Sequence, residues 1–298
     1  MSDSTRWYQY DERGTTLALR LMRFAALHLG RRVIRPILYP VALYFALTSS
    51  ATRRASRDYL TRVLPHPPRF RDVLRHVFSF ASIALDRVFL LTGSYPFAVE
   101  GHYDPGTLET ARSRGSLLFL AHFGSFEVMR IGALRKHEVN LRIVLDVNIG
   151  RRFMAALGEL NPAIASCIID SSKGGVDLVL KVREALEANA AVGIMVDRVR
   201  GGERTVPVNF LGATAHFPAS PWLLAAALKV PVMLVFGIWR GGDRYDADVE
   251  MLAEQIDLPR ATRDAALAVH VQAYADRLAA RVRSAPYNWL NFFDFWAS

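Results

Sequence analysis

A histidine that directly follows an apolar run is the residue in this sequence best placed for chemistry. The run Ser116–Ala121 has the length of a buried strand, and His122 comes immediately after it. Gly124 permits a tight turn there, and Glu127 falls in the first turn of a predicted helix. Such a turn can bring an imidazole and a carboxylate together, so we predict that Glu127 is the charge partner of His122.

The chemistry that this pair predicts is general base catalysis. An alcohol or amine that attacks a thioester must lose a proton, and imidazole accepts a proton near neutral pH. A carboxylate on the other ring nitrogen would fix the tautomer and stabilise the imidazolium. The spacing by itself is weak, because a chain with 8 histidines and 28 acidic residues contains such a pair by chance about half the time. The alternative is a structural histidine in a packed turn.

A second polar cluster follows the predicted strand Ala191–Val196. Asp197 and Arg198 come directly after the strand, and a glycine-containing loop with Arg200 and Arg204 continues from them. Glycines let the backbone approach a ligand closely, and guanidinium groups bind phosphate through two hydrogen bonds. The cluster therefore predicts an anion site for a phosphopantetheine or a phosphorylated acceptor, although a solvated basic turn would give the same pattern.

Together the two clusters define the candidate site. We expect His122 and Glu127 to be catalytic, and we predict no metal ligands. The predicted substrate-binding residues are Arg198, Asp197, Gly124, Ser125, Arg200 and Arg204.

Short apolar runs alternate with amphipathic segments after residue 94, which predicts an α/β fold with a largely parallel sheet and helices on both faces. The predicted strands are Ser116–Ala121, Leu141–Val147, Ser166–Ile169, Ala191–Val196, Thr205–Phe210 and Val232–Trp239. The predicted helices are Glu127–His137, Gly150–Leu160, Gly174–Ala188, Pro221–Leu228 and Thr262–Arg283. Ligands collect beyond the carboxyl ends of parallel strands, which is where both polar clusters lie.

Residues 1–93 are predicted to form a helical region that associates with a membrane, ahead of an α/β domain over residues 94–298. The apolar runs Leu17–Leu29 and Val33–Leu47 carry arginines and prolines, and neither has the roughly 20 clean residues that cross a bilayer. We therefore expect an interfacial helix, with a pair of buried core helices as the alternative. Further helices are predicted over Ser49–Val63 and over Arg69–Thr92, which ends at Gly93.

The charge of the chain favours an anionic partner. It holds 37 Lys and Arg against 28 Asp and Glu, a net charge of +9, with 51% hydrophobic residues. An RNA-recognition signature, zinc-finger spacing and internal repeats are all missing from the sequence, so we expect a membrane surface or an acidic carrier protein and no nucleic acid. The arginines expected to attract anionic lipid are Arg20, Arg23, Arg31, Arg32 and Arg35.

Two further features concern the cellular side. Cys167 is the one cysteine, which excludes an intramolecular disulfide, and its apolar surroundings predict that it is buried. The polar residues 1–10 do not have the pattern of a signal peptide, so we expect the chain to face the cytoplasm.

These blocks, in this order, resemble the lysophospholipid acyltransferase superfamily, and in particular its lipid A biosynthesis (lauroyl/myristoyl) branch. The resemblance runs from about Val99 to Trp296. The segments that carry it are His122–Glu127, Asp197–Arg198, Phe210–Gly212 and Val230–Val232.

The resemblance implies transfer of a fatty acyl group from acyl carrier protein or coenzyme A to a hydroxyl of a lipid-like acceptor. It implies a peripheral or monotopic protein at the cytoplasmic face of the bacterial inner membrane, without a cofactor. His122 would be the base, Glu127 its partner, and Arg198 a ligand of a phosphate or of the developing oxyanion. The branch usually has Asp-Gln where this chain has Asp197-Arg198, and the ending Pro286–Trp296 looks more like relatives associated with aryl-polyene or fatty-acid-like pigments. Lipid A is therefore not the expected acceptor.

Other functions stay open on the sequence. A glycerophospholipid acyltransferase would use the same chemistry. A hydrolase would need a nucleophile elbow, but Gly-x-Ser-x-Gly does not occur and Ser125 is the one candidate beside His122. A nonenzymatic basic protein that binds membranes or nucleic acid would not need His122 at all.

Overall fold

The structure, a computed structural model, describes residues 29–131, 139–147, 166–172 and 174–296. Some sequence predictions lie outside these residues. They are the apolar run before residue 29 with Arg20 and Arg23, the helix Gly150–Leu160, and the second half of the helix Glu127–His137.

The described chain begins with helices that meet at sharp breaks. They are α1 (Arg31–Ile34), a 3-10 turn (Arg35–Ile37), α2 (Leu38–Thr48), α3 (Ser50–Val63) and α4 (Phe70–Thr92). The Ser49 side chain accepts a hydrogen bond from the backbone of Thr52 and so caps α3, while Gly93 ends α4 in the left-handed conformation. The two helices predicted before Gly93 are confirmed to within one residue at each end.

α2 presents apolar side chains at the protein surface. Leu38, Ala42 and Ala46 are buried, whereas Tyr39 and Tyr44 are each 61% exposed. Among the described residues, no single helix is long and apolar enough to cross a membrane. The stretch Arg31–Thr48 reaches that length and composition only together with Ser50–Val63, from which it is bent by 95°.

Arg31 ties these helices to the rest of the molecule. Its guanidinium donates to both carboxylate oxygens of Asp86 in α4, at 2.6 and 2.9 Å, and lies over the ring of Tyr95. The hydroxyl of Tyr245 donates to the same carboxylate at 2.8 Å. The prediction that Arg31 attracts anionic lipid is wrong, because this side chain is buried and bonded; its neighbour Arg32 is exposed.

A seven-stranded sheet forms the centre of the described chain. Its strands, in spatial order, are β1 (Ala98–Tyr103), β9 (Arg244–Ala253), β8 (Val232–Gly241), β2 (Ser116–Leu120), β5 (Ala191–Met195), β3 (Leu141–Leu145) and β4 (Ile168–Asp170). Neighbouring strands are parallel except β8 and β9, which are antiparallel. The α/β prediction with a largely parallel sheet is confirmed, and the carboxyl ends of β8, β2 and β5 lie at one edge.

Two features of the strands differ from the predictions. The predicted strand Thr205–Phe210 is β6, but it pairs antiparallel with β7 (Ala213–Pro218) in a separate sheet. β1 and β9 were not predicted, because charged residues interrupt their apolar pattern at sheet positions that need not be buried on both faces.

Helices cover both faces of the sheet. They are α5 (Pro105–Ser113), α6 (Glu127–Ile131), α7 (Gly175–Glu187), α8 (Ser220–Leu228) and α9 (Arg263–Ser284). On one face Phe119 of β2 meets Trp222 of α8, which in turn packs on Tyr274 of α9. On the other face Leu118 packs in a cluster with Leu90 of α4. β2 is buried along its whole length. The turn that begins at His122 therefore starts from a well-packed strand, which positions side chains more precisely than a loop does.

Candidate active site

The imidazole of His122 is hydrogen-bonded to a carboxylate that comes from the neighbouring strand. β2 and β5 are parallel, with Leu120 opposite Met195. The residues two places further on, His122 and Asp197, therefore lie side by side. Nδ1 of His122 is 2.7 Å from Oδ1 of Asp197, and the backbone N–H of His122 donates to Oδ2 at 2.9 Å.

Asp197 is fully buried and bonded through both carboxylate oxygens. Besides the two contacts to His122, its Oδ2 accepts a hydrogen bond from Nε1 of Trp289 at 3.2 Å. Burial by itself would raise the pKa of this carboxyl. The charge and hydrogen bonds of His122 and the charge of Arg198 outweigh burial and lower the pKa to about 2. Asp197 is therefore ionised at neutral pH and can accept the Nδ1 proton.

The carboxylate of Glu127 has different partners. Its Oε1 lies 2.7 Å from Nε of Arg87 in α4, and its Oε2 accepts a hydrogen bond from the Ser125 hydroxyl at 2.9 Å. The predicted contact between Glu127 and the imidazole is thus not the one that the structure shows. Asp197 takes that position, because the pairing of β2 with β5 brings together two residues 75 positions apart in the chain.

The C-terminal segment after α9 holds the His122 turn from the other side. The backbone N–H of Leu290 donates to the carbonyl of His122, and that of Gly124 donates to the carbonyl of Asn288, both at 2.8 Å. The side chain of Asn288 bonds to the backbone N–H and carbonyl of Trp239 in β8, at 2.7 and 3.0 Å. The turn is therefore clamped between β8 and the C-terminal segment.

Close backbone packing explains the glycine in the turn. Gly124 has a φ of 61°, and a Cβ there would overlap the carbonyl oxygen of Gly237. Ser125 is fully buried, and its backbone N–H donates to the same carbonyl at 2.8 Å. Both residues serve the shape of the turn, and direct contact of either with substrate stays a prediction.

The arginines of the second cluster are in different surroundings. Arg198 is half-buried, and its Nη2 donates to the carbonyl of Leu290 at 2.8 Å. Arg200 lies at the surface, with Nη1 3.6 Å from the carboxylate of Asp146. Arg204 is also exposed and is paired with a carboxylate at the start of α9, at 2.8 Å. The structure thus brings Arg198 to the His122 turn, whereas the other two arginines lie among acidic side chains.

The protonation of His122 follows from these neighbours. Burial lowers the pKa of the imidazole below its ordinary value, and the positive charges of Arg198 and Arg87 lower it further, against the opposing effect of Asp197. The ring is therefore neutral at neutral pH. With the proton on Nδ1 shared with Asp197, Nε2 carries a free lone pair, and the side chain is 30% exposed. The site can accept a proton from a group that approaches Nε2.

One cluster of described residues has the composition of a metal site. Ligand atoms of Glu100, His102 and Asp246 lie within 4.8 Å of one another at the β1–β9 side of the sheet. Glu100 and His102 are exposed, and Asp246 is already paired with Arg240. We assign no metal to this cluster.

Several residues of the site could not be found from sequence patterns. Arg87 lies on a long amphipathic helix, and Trp289 and Asn288 lie in a C-terminal stretch with no chemical motif. A usable signal did exist for Asp197, since it is the first polar residue after a buried strand, as His122 is. The information that was missing is that these two strands are neighbours.

The amino-acid sequence matches a known protein family. A family model described as bacterial lipid A biosynthesis acyltransferase matches residues 8–298. Comparison with the curated proteins gives no match.

Proposed function

Because the chain belongs to the bacterial lipid A biosynthesis acyltransferase family, we propose that it moves a fatty acyl group from a thioester to a hydroxyl of a lipid or lipid-like acceptor. The donor would be acyl carrier protein or coenzyme A. The observation that carries the proposal is the imidazole of His122, which is oriented by a buried, ionised Asp197 while 30% of the side chain is exposed.

In the proposed reaction His122 acts as the general base. Its Nε2 takes the proton of the acceptor hydroxyl while the hydroxyl oxygen attacks the thioester carbonyl. The tetrahedral intermediate then collapses, the C–S bond breaks, and the leaving thiolate takes the proton back from Nε2. Asp197 keeps the imidazole in the required tautomer and stabilises the imidazolium between these steps, which is the task first assigned to Glu127.

Two cations near His122 suit the negative charge that develops on the thioester oxygen. Arg198 donates to the carbonyl of Leu290, whose N–H donates to His122, and Arg87 is paired with Glu127 of the same turn, so both cations adjoin the turn at which the oxyanion would form. In this proposal Glu127 is a positioning residue, because it fixes Arg87 through an ion pair and accepts from Ser125. Arg200 and Arg204 are both paired with carboxylates at the surface. In this proposal they contribute to donor binding only at the edge of the site.

We propose direct transfer without an acyl-enzyme. Ser125 is fully buried and its hydroxyl is engaged by Glu127, so it is poorly placed to attack a substrate. Cys167, which is half-buried where the sequence predicted full burial, lies in the turn directly before β4. Incubating the enzyme with acyl donor alone and measuring its intact mass tests this point: unchanged mass is expected, and an adduct that the acceptor discharges would refute direct transfer.

The proposed location is the cytoplasmic face of the bacterial inner membrane, where the acceptor is dissolved. The exposed apolar surface of α2 and the excess of basic residues support it, because an apolar face and positive charge together bind anionic bilayers.

Mass spectrometry of lipids and pigments from a deletion strain tests the function. We expect a species lighter by one acyl group, restored by the wild-type gene and not by His122→Ala. The mass difference would name the acyl chain and the parent species would name the acceptor. Unchanged masses throughout would contradict acyl transfer to a lipid-like acceptor.

A further inference from the structure

A cavity of about 640 Å³ lies away from the catalytic imidazole, between α4, the end of β8 and the C-terminal segment. This volume is in the range of sites that hold small molecules or lipid headgroups. Aromatic side chains of Tyr39, Trp239 and Tyr287 form part of its wall. The cavity is therefore large enough, and its lining is polar and apolar in different places, to hold a ligand with a polar and an apolar part.

The charged side chains that line this cavity all carry positive charge. They are Arg71, Arg75 and Arg240. Arg240 is paired with Asp246, but neither Arg71 nor Arg75 has an ion pair among the described residues. The guanidinium of Arg75 lies over the ring of Tyr287, 4.4 Å from its centre, which holds it at the wall. Two arginines one helical turn apart, neither within ion-pair distance of a carboxylate among the described residues, suit an anion such as a phosphodiester.

The cavity and the catalytic site lie on different faces of α4. Arg75 lines the cavity, and Arg87 holds Glu127 near His122. Twelve residues separate them, which places them about 120° apart around the helix and about 18 Å apart along it. An anion bound at Arg75 would therefore lie about 18 Å along α4 from the Arg87–Glu127 pair.

The cavity is continuous with the apolar surface of α2. Tyr39 lines the cavity and is also 61% exposed, and Leu43, one turn further along the same side of α2, is 40% exposed. A ligand with its anionic head at Arg71 and Arg75 could lay its hydrocarbon chains along α2. Free phosphate, by contrast, would contact only Arg71 and Arg75.

We propose that this cavity binds the headgroup of an anionic phospholipid of the bilayer, as a site separate from that of the reacting lipid. The site rests on the proposed membrane location and is independent of acyl transfer. Asn288 lines the cavity and also accepts from Gly124 in the catalytic turn, so the bound lipid would dock the enzyme with its active site at a defined height on the membrane.

Vesicle flotation of the full-length protein tests the proposal without acyl donor. The vesicles are an equal mixture of phosphatidylglycerol and phosphatidylcholine, compared with phosphatidylcholine alone. The test variant is Arg71→Gln/Arg75→Gln. The matched control is Arg112→Gln/Arg114→Gln, which removes the same charge from two exposed arginines of the α5 region.

We expect the test variant to lose roughly fivefold in affinity for the anionic vesicles per arginine, and the control variant to bind like wild type. Melting temperatures of both variants should equal that of wild type, since all four side chains are at the surface. Equal losses in both variants would show general attraction by charge and would overturn the site. Unchanged binding of the test variant, or displacement of the vesicles by glycerol phosphate at equal concentration, would also overturn it.

Discussion

At the scale of single residues, the imidazole of His122 lies between one anion and two cations, and this balance sets what it can do. Asp197 accepts the Nδ1 proton, and burial together with the charges of Arg198 and Arg87 lowers the pKa of the ring. In the proposed mechanism such a neutral imidazole takes a proton from substrate at neutral pH, and the same cations stabilise the oxyanion.

Exchange of Asp197 should harm the enzyme more than exchange of Glu127. Asp197→Asn keeps the shape but removes the acceptor that fixes the tautomer, so we expect kcat to fall by about three orders of magnitude. Glu127→Gln weakens the hold on Arg87 without touching the imidazole, and we expect a loss of about tenfold. Steady-state kinetics of the two folded variants give the comparison. A larger loss in Glu127→Gln would mean that Glu127 turns to the imidazole when substrate is bound.

The pH dependence of activity should report the charge of Arg198. A general base must be neutral, so kcat/KM falls as pH falls through the pKa of His122, which lies below its ordinary value of 6.5. Removing the positive charge in Arg198→Gln raises that pKa, and the acid limb of the profile should move to higher pH whatever happens to the maximum rate. Arg200→Gln is the control, since the guanidinium of Arg200 is engaged by Asp146 and Ser171 further along the loop. Equal pH profiles for wild type and Arg198→Gln would show that the charge of Arg198 does not affect the pKa of His122.

At the scale of elements, the catalytic turn depends on segments that are far apart in the chain. β2 carries His122 and β5 carries Asp197. The C-terminal segment bonds to His122 through the backbone of Leu290, to Asp197 through the side chain of Trp289, and to β8 through the side chain of Asn288. The aromatic residues of that segment, among them Trp289 and Phe295, pack against Phe210 of the β6–β7 hairpin. The β6–β7 hairpin therefore packs against the C-terminal segment, and that segment in turn holds the His122 turn.

Loss of the Asn288 side chain should break the link between the C-terminal segment and β8. Asn288→Ala leaves the backbone N–H and carbonyl of the half-buried Trp239 without these partners, so we expect a cost of about 1 to 2 kcal/mol and a clear fall in kcat. Gln272→Ala is a matched control, because Gln272 makes the same pair of bonds to the backbone of Asn209 at an exposed edge. Denaturant unfolding and kinetics should show a small stability loss and normal activity for the control. Normal activity in folded Asn288→Ala would show that the clamp is dispensable.

At the scale of the whole molecule, the helices before residue 93 are joined to the α/β body through buried charge. Arg31 and Asp86 pair under Tyr95, and Tyr245 of β9 joins them. The exposed apolar side of α2 is thereby held in a fixed orientation relative to the sheet edge that carries His122. The proposed membrane surface and the proposed catalytic site are in this way carried by one connected set of described helices and strands.

The neighbours Arg31 and Arg32 should respond differently to substitution. Arg31→Gln leaves a buried carboxylate without its cation, so we expect a loss of stability of about 3 kcal/mol. Arg32→Gln, at an exposed position, should leave stability within about 0.5 kcal/mol and weaken binding to anionic vesicles slightly. Unfolding curves and flotation separate the two effects. If Arg31→Gln were as stable as wild type, the ion pair would not be what joins the helices to the body.

Local sequence patterns were sufficient to predict several helices and strands of this protein and the position of His122. The long helix ending at Gly93, the buried strand β2 and the placement of His122 at its end follow from apolar periodicity and turn residues, which act over a few positions. The α/β class follows from the alternation of such segments, and the motif order pointed to the acyltransferase family that the family model confirms.

The partner of the base was decided only by tertiary structure. A carboxylate five residues away in the same turn looked closer to His122 than one 75 residues away, yet strand neighbours in register lie only about 5 Å apart. The order of strands in a sheet depends on how helices pack on both faces, and no short-range pattern encodes it. For the same reason Arg31, charged and close to apolar residues, looked like a lipid contact until the fold supplied Asp86 to bury it.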